Sequence, residues 1–420
     1  MARKQSIRSA TTAAALDAPV FAQPVPTPDP TKFTVNHPSD GPAYADIDKL
    51  NREHKLLPMP FPAPRGVPEP RLTLAEVLDR PNADAPITAA GQIVFHAVGD
   101  TGNIGRPASQ SLVADKMVSD FDESDPKQVP LFCLHLGDVI YSFGEAKYYY
   151  DQFYEPYREY PAPILALAGN HDGMVAPGTG ATTLAAFLDN FCQEGFVVTP
   201  EAGGLSRTAQ IQPGVFFTFE APFVRVLALY SNTLEDPGVI ANDQIGTSQL
   251  DYLRAALNRV KTENYQGALI LAHHHPAYTA GSIHGWSVDL TAQVDQICTE
   301  TGIWPHAVLS GHAHNYQRFT RARGTTQIPY LIAGNGGHGI ARLAQRGGQP
   351  LRVPTVIQAA GTKTDQVTLE SYDDQDYGYL RVIASATRLR IEYHPASDGS
   401  DAKTPDDTVT IDLATRQLTP

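Results

Sequence analysis

The chain of 420 residues is long enough for one large domain or two, and its 42% apolar content allows a sizeable core. A formal net charge of −13 argues against general binding to nucleic acid or to anionic membranes. No run approaches the about 18 consecutive apolar residues of a membrane span. The three widely spaced cysteines, Cys133, Cys192 and Cys298, fit neither a disulfide framework nor a zinc knuckle.

The first residues carry Arg3, Lys4 and Arg8 ahead of small side chains, but Asp17 interrupts that stretch. A secretory signal needs an unbroken apolar core of about 7–15 residues. The reading therefore favours a cytoplasmic, unprocessed arm over a secreted or periplasmic chain. Residues 20–70 are dense in proline and read as an extended arm, with Met59 and Phe61 placed to dock onto the main domain. Thr73-Leu-Ala-Glu76 has the form of a capping box that opens a short helix to Arg80. Residues 1–90 are thus assigned to a Pro-rich N-terminal arm, partly disordered, and residues 91–420 to one folded domain.

From Gln92 onward strands and helices alternate. The first strand, IVFHAV, stops at GDTGN and so at Asp100. A helix over about Ser109 to Phe121 follows, with Leu112, Val113, Met117 and Val118 on one side. The strand Leu131–Leu136 stops at GDVIY, at Asp138 and Tyr141. An aromatic helix over about Glu145 to Tyr157 reads as core packing. The strand Ile164–Ala168 stops at GNHD, at Asn170 and His171. A hairpin, Val215–Glu220 and Val224–Tyr230, precedes an amphipathic helix over Ser248–Lys261. The strand ALILA stops at His273 to His275, and AVLS stops at His312 and His314, with a helix around Leu290–Cys298 between them. IPYLIAGNGGHG gives a further strand, residues 341–370 read as a loop insertion, and LRVIASATRLRIEYHP gives two final strands.

The five strand ends share one grammar. Continuous apolar runs of this length suit strands buried on both faces, and in such sheets the ligand crevice lies at the carboxyl ends of the strands. Asp, Asp with Tyr, Asn, His and His-x-His at those ends would meet at one rim as a two-metal site. A carboxylate such as Asp138 can bridge two cations, Asn170 offers a neutral oxygen, and histidines supply neutral nitrogens. In His312-Ala-His314 the two rings lie on the same side of an extended segment, which leaves open whether they address one metal or two. His96 and His135, inside strands, read as core residues, and His338 as lining the rim.

The order GDTG, GDVIY, GNHD, HHP and GHAH resembles the calcineurin-like metallophosphoesterase superfamily. GDTG together with Tyr141 is similar, within it, to purple acid phosphatases, as are HHPAY, GHAHNYQRF, AGNGG and DYGYLRV. The resemblance covers about residues 92–400. It implies an α/β fold: a layered metallophosphoesterase-type β-sandwich flanked by helices, with the Pro-rich N-terminal arm outside it. It implies two metal ions, Fe(III) plus a divalent Fe, Zn or Mn. Asp100, Asp138, Tyr141 and His314 would hold the ferric ion. Asp138, Asn170, His274 and His312 would hold the second, with His274 chosen from the histidine triplet because it stands two residues before Pro276.

The resemblance further implies phosphomonoester hydrolysis by in-line attack of metal-activated water, with a small phosphoester as the partner and no nucleic-acid scaffold. His171 and His284 would contact phosphate or protonate the leaving group, and Asp172 would orient His171. Ile283 and Gln317 depart from the plant members, which carry His and Glu there. Phosphodiester or nucleotide hydrolysis is the alternative on the same site. A non-catalytic metal-binding protein is a further alternative, but its expected signature, a lost ligand, is absent. The sequence does not speak to oligomeric state.

Overall fold

The computed structural model describes residues 42–53, 55–103, 107–122, 124–281, 283–343, 349–357, 365–397 and 404–419. The basic leader, and with it the export question, lies outside them. So do parts of the 341–370 segment.

Two sheets face each other. The first runs β16 (Leu418–Thr419), β15 (Asp407–Asp412), β14 (Arg388–Pro395), β13 (Gly378–Ser385), β2 (Gln92–Val98), β3 (Cys133–His135), β4 (Ile164–Ala166). Within it β2, β3 and β4 are parallel neighbours. The second runs β1 (Arg71–Thr73), β5 (Phe217–Ala221), β6 (Val224–Ala228), β7 (Ala268–Ala272), β8 (Ala307–Ser310), β10 (Thr326–Ala333), β9 (Tyr316–Arg323), β12 (Gln366–Asp373), β11 (Thr355–Ile357). Here β6, β7 and β8 are parallel neighbours, with β10 parallel to β8. One apolar core draws on both sheets, among others through Phe95, Leu134, Leu165, Val226, Ile270 and Leu309. Phe132 joins them directly. Its ring stacks on Phe95 at 4.5 Å and meets Phe219 of the other sheet edge-on at 4.8 Å. The second core packs helices against the outer faces. This is the layered α/β sandwich expected from the motifs.

The helices are α1 (Pro42–Arg52), α2 (Leu74–Val77), α3 (Asp84–Ala90), α4 (Pro107–Ser119), α5 (Asn170–Gly173), α6 (Ala185–Phe191), α7 (Ser248–Thr262) and α8 (Val288–Thr301). The Thr73 capping box forms as read, with Glu76 closing back on the Thr73 amide, but the helix it opens ends at Val77. In α7 the buried stripe is Gln249, Tyr252, Leu253, Ala256, Leu257 and Val260.

Several expectations need correction. Residues 42–52 are helical rather than extended, and β1 makes residues 71–73 an edge strand of the second sheet, parallel to β5. Met59 and Phe61 do dock. The Met59 backbone bonds the Asn232 side chain in both directions at 2.9 and 2.8 Å, and Phe61 packs edge-on against Phe216 and Tyr230. In α4, Val113, Ala114 and Met117 face the core, whereas Leu112 is 44% exposed. The aromatic segment is not one α-helix. It forms a 3-10 turn at Ala146–Tyr148 and a π-helical stretch at Tyr150–Tyr154, with Tyr148, Tyr149, Phe153 and Tyr154 buried.

The supposed insertion at 341–370 contributes β11 and the start of β12. β9 was hidden by its arginines. Arg318 pairs with Asp407, and Arg321 with Asp295 and Asp365, so charged residues sit in a strand because carboxylates from other elements meet them. Among the described residues no helix is long and apolar enough to cross a membrane.

Candidate metal centre

The parallel strands of both sheets end at one place. β2 delivers Asp100, β3 delivers Asp138 and Tyr141, and β4 delivers Asn170 and His171 at the start of α5. From the other sheet β7 delivers His274, and β8 delivers His312 and His314. Asp100, Asp138, His312 and His314 all adopt positive φ, between 46° and 70°. That conformation costs a non-glycine residue of order 1 kcal/mol or more and persists where surrounding structure demands it. Close approach does the rest. A Cβ on Gly169 would stand 2.1 Å from Asp138 Oδ1, and one on Gly311 would stand 2.5 Å from Asp100 Oδ2.

Two groups of donor atoms form, and Asp138 belongs to both. In one, Tyr141 Oη lies 3.0 Å from Asp100 Oδ1 and 3.2 Å from His314 Nε2, which is itself 3.4 Å from Asp100 Oδ1. In the other, His274 Nε2 lies 3.0 Å from Asn170 Oδ1 and 3.2 Å from Asp138 Oδ2, and His312 Nδ1 lies 3.2 Å from Asn170 Oδ1. Ligand atoms about 2.1 Å from one cation and at right angles stand about 3.0 Å apart. The observed separations match shared coordination edges.

His274 Nδ1 donates to Leu136 O at 2.8 Å, which turns Nε2 toward the Asn170 carbonyl and the Asp138 carboxylate. Burial opposes a charge on this ring, but Asp138 and Asp100 outweigh it and raise its pKa to about 10, so the pocket between the two oxygens favours a positive charge, whether a proton or a metal carries it. Asp138 Oδ2 is buried with no hydrogen-bond partner. The remaining oxygens are held by backbone amides: Asp138 Oδ1 accepts from His171 N at 2.9 Å, and Asp100 Oδ2 from His312 N at 2.7 Å. The residues present therefore fit a dinuclear metal centre.

Burial sets the metal-free electrostatics. It pushes the Asp100 carboxyl up to about 7, with His274 working against it and Asp138 adding to it. On Asp138 burial is outweighed by His274 and His171, which hold the carboxyl well below the usual range. Burial, with Asp100 and Asp138 beside it, holds the Tyr141 phenol well above its ordinary pKa, so only a cation could displace its proton. Burial and the neighbouring imidazoles keep His312 neutral, the state in which an imidazole can ligate.

The structure brings all the sequence-assigned site residues together, with one change of role. His171 Nδ1 donates to Ser142 O at 2.7 Å. Asp172, assigned to orient that ring, instead accepts from the amides of Val139, Ile140 and Gly169. Three amides of two turns converge on this carboxylate, so it ties the Asp138 turn to the Asn170 turn. His284 lies over the centre, its ring 4.9 Å from His312 and 4.4 Å from His314. His338 stacks on Tyr141 at 3.5 Å and donates from Nδ1 to Gly102 O, so it fixes the phenol's plane. His96 and His135 are core residues, bonded to Asp120 and Tyr160 and to Thr101. His273 bonds the His275 carbonyl. Arg318 is engaged by the Asp407 carboxylate through Nε and Nη2.

Sequence reasoning missed Glu235 and Asp236. Glu235 groups with His284 and His312 as a third set of donor atoms. A signal existed: β6 is one more buried parallel strand, and the chain leaving it passes the same rim through Leu-Glu-Asp-Pro.

A family model described as calcineurin-like phosphoesterase matches residues 93–316. A curated relative from Arabidopsis thaliana, named probable inactive purple acid phosphatase 9, is 22% identical over 315 residues, covering 70% of this chain. The chain spans about half, 46%, of that relative's length. Among solved structures, GAP50, the anchor in the inner membrane complex of Plasmodium, shares the fold: TM-score 0.51 at 11% identity, over 76% of this chain and 87% of that one. A structure of PhoD gives a TM-score of 0.47 at 13% identity, over 78% of this chain and 71% of that one. A dimetal phosphatase from Danio rerio gives 0.42 at 9% identity, over 77% and 99%.

Proposed function

The chain belongs to the calcineurin-like phosphoesterase family, and from that premise we propose that it is a purple acid phosphatase-like phosphomonoesterase that works with Fe(III) and a divalent ion. The observation that carries this reading is the phenol. Tyr141 Oη stands 3.0 Å from Asp100 Oδ1 and 3.2 Å from His314 Nε2, which supports counting it among the donors. A hard phenolate oxygen suits a ferric ion, and the ion's charge supplies the proton loss that burial opposes.

Asp100, Asp138, Tyr141 and His314 would hold the ferric ion, and Asp138, Asn170, His274 and His312 the divalent one. Such a pair, when bound, supplies charge neutralisation to the phosphoryl group and acidifies water. The protein's own groups do the remaining work. His171 holds its Nδ1 proton on Ser142 O, so to protonate the departing oxygen from Nε2 the ring would act as the imidazolium, carrying a second proton there. His284 Nδ1 lies 2.8 Å from Glu235 Oε1, which leaves Nε2 available to the ester. Burial works against a charged His284, but the bond to Glu235 outweighs it and raises the ring's pKa, so the imidazolium can face an anionic substrate.

The experiment is optical and catalytic together. Iron-loaded wild type, prepared under oxidising conditions, should show a visible phenolate-to-iron band and hydrolyse aryl monoesters faster than diesters. Tyr141→Phe should lose the band while keeping some iron through Asp100, Asp138 and His314. A colourless iron-replete wild type would remove the purple-type assignment.

A further inference from the structure

We infer that Glu235 is the positioning residue that ties the second metal's ligand Asn170 to His284, and that it sets which atom of the Asn170 amide faces the metal. The inference rests on the two-metal reading above and extends it to a residue outside the ligand set.

An asparagine amide is nearly symmetric in shape, yet only its oxygen ligates a hard cation. Something must therefore choose the flip. A carboxylate is acceptor-only, so it can choose. Glu235 Oε2 accepts from Asn170 Nδ2 at 3.2 Å, which turns Oδ1 toward His274 and His312. The other oxygen, Oε1, accepts from His284 Nδ1 at 2.8 Å. One carboxylate thus fixes a ligand on one side and a substrate-facing ring on the other. Neither member is an ordinary surface group: the side chains of Glu235 and His284 are 17% and 13% exposed.

The segment carrying Glu235 is itself anchored. His275 donates from Nε2 to the Leu234 carbonyl at 2.5 Å, and its Nδ1 takes the Ser231 hydroxyl at 2.7 Å. This gives the third histidine of the triplet a role: it holds the backbone directly before Glu235. Asp236 extends the support. Its Oδ1 accepts from Gly285 N at 2.7 Å and lies 3.7 Å from His312 Nε2, the buried nitrogen without a hydrogen-bond partner. Metal-bound imidazoles commonly aim their far nitrogen at such a carboxylate.

The test is a zinc titration of the metal-free full chain, read by calorimetry. Wild type should bind at two sites. Glu235→Gln is isosteric but keeps one acceptor oxygen for two donors; with that oxygen on His284 Nδ1, the nearer partner, its NH2 group meets Asn170 Nδ2, so the Asn170 amide should turn and present nitrogen to the metal. One site should weaken by about 10–100-fold and the other should hold within about twofold. A second substitution discriminates positioning from loss of packing. Asn170→Asp placed on Glu235→Gln offers an oxygen in either flip, so the double variant should recover most of the lost affinity. Wild-type affinity at both sites in Glu235→Gln, or a loss that Asn170→Asp leaves unrepaired, would overturn the inference. If wild type hydrolyses no phosphoester, the functional reading falls, and this titration still decides Glu235.

Discussion

Asp138 concentrates the chemistry of the site in one carboxylate. It belongs to both donor groups, its Oδ1 is held by the His171 amide, and its Oδ2 is buried without a hydrogen bond. Asp138→Asn keeps the shape and removes the charge. That variant should lose metal at both sites and nearly all hydrolysis together, as measured by metal content alongside turnover. Full metal occupancy with intact turnover would sink the bridging role. His171 makes a contrasting case. It sits next to Asn170, a candidate ligand, but Ser142 O holds its ring. His171→Ala should retain both metals and lower turnover by about 10²–10⁴, the usual range for acid–base groups. The loss should shrink for leaving groups that depart without a proton. An equal loss across a leaving-group series would assign His171 to another task.

At the scale of elements, the segment before the domain is a structural part of it. Phe61 fills a notch between Phe216 and Tyr230, and Asn232 grips the Met59 backbone three residues before Glu235. Phe61→Ala should cost about 1–3 kcal/mol, less than a fully buried phenylalanine, seen as a lower thermal midpoint. An unchanged midpoint would mean that the segment only lies against the domain. The β13–β14 pair offers a pH test. Glu392 takes His394 Nε2 at 3.3 Å, Arg390 Nε at 2.6 Å and Arg381 Nη1 at 3.3 Å. Burial works against its charge, but these partners outweigh burial and hold its carboxyl at about 2, from an ordinary 4.5. A depressed folded pKa contributes stability that is present above pH 4.5 and is lost as pH falls through about 2. Glu392→Gln should flatten that part of the stability–pH curve and cost about 2 kcal/mol at neutral pH. An acid limb as steep as the wild type's would locate the pH dependence elsewhere.

For the whole molecule, the centre is where the two sheets meet, so metal should act on stability as well as catalysis. Four candidate ligands hold positive φ, and buried carboxylates crowd each other without a cation. A metal bound at about 1,000 times its dissociation constant adds about 4 kcal/mol to the folded state. Removal by chelation should lower the thermal midpoint by several degrees, and zinc or manganese should restore it. A midpoint indifferent to chelator, with metal loss verified, would mean that the sandwich holds the strained loops unaided.

The sequence alone determined the layered class, the five strand ends and the candidate ligand types. Buried parallel strands need continuous apolar runs, and each run stops where the chain turns into the rim, so both signals are local. It also specified the Thr73 capping box, which is a contact within one turn. What it could not carry were contacts between distant segments. β9 carries arginines because Asp295, Asp365 and Asp407 come to them from elsewhere in the chain. Asp172 was assigned to its sequence neighbour, yet three amides from two turns reach it first. Glu235 had no motif to announce it. Its role exists only because β6 ends beside β7, bringing a carboxylate on an irregular loop within reach of Asn170 and His284. Local spacing records which atoms can bind a metal, whereas tertiary packing decides which groups aim them.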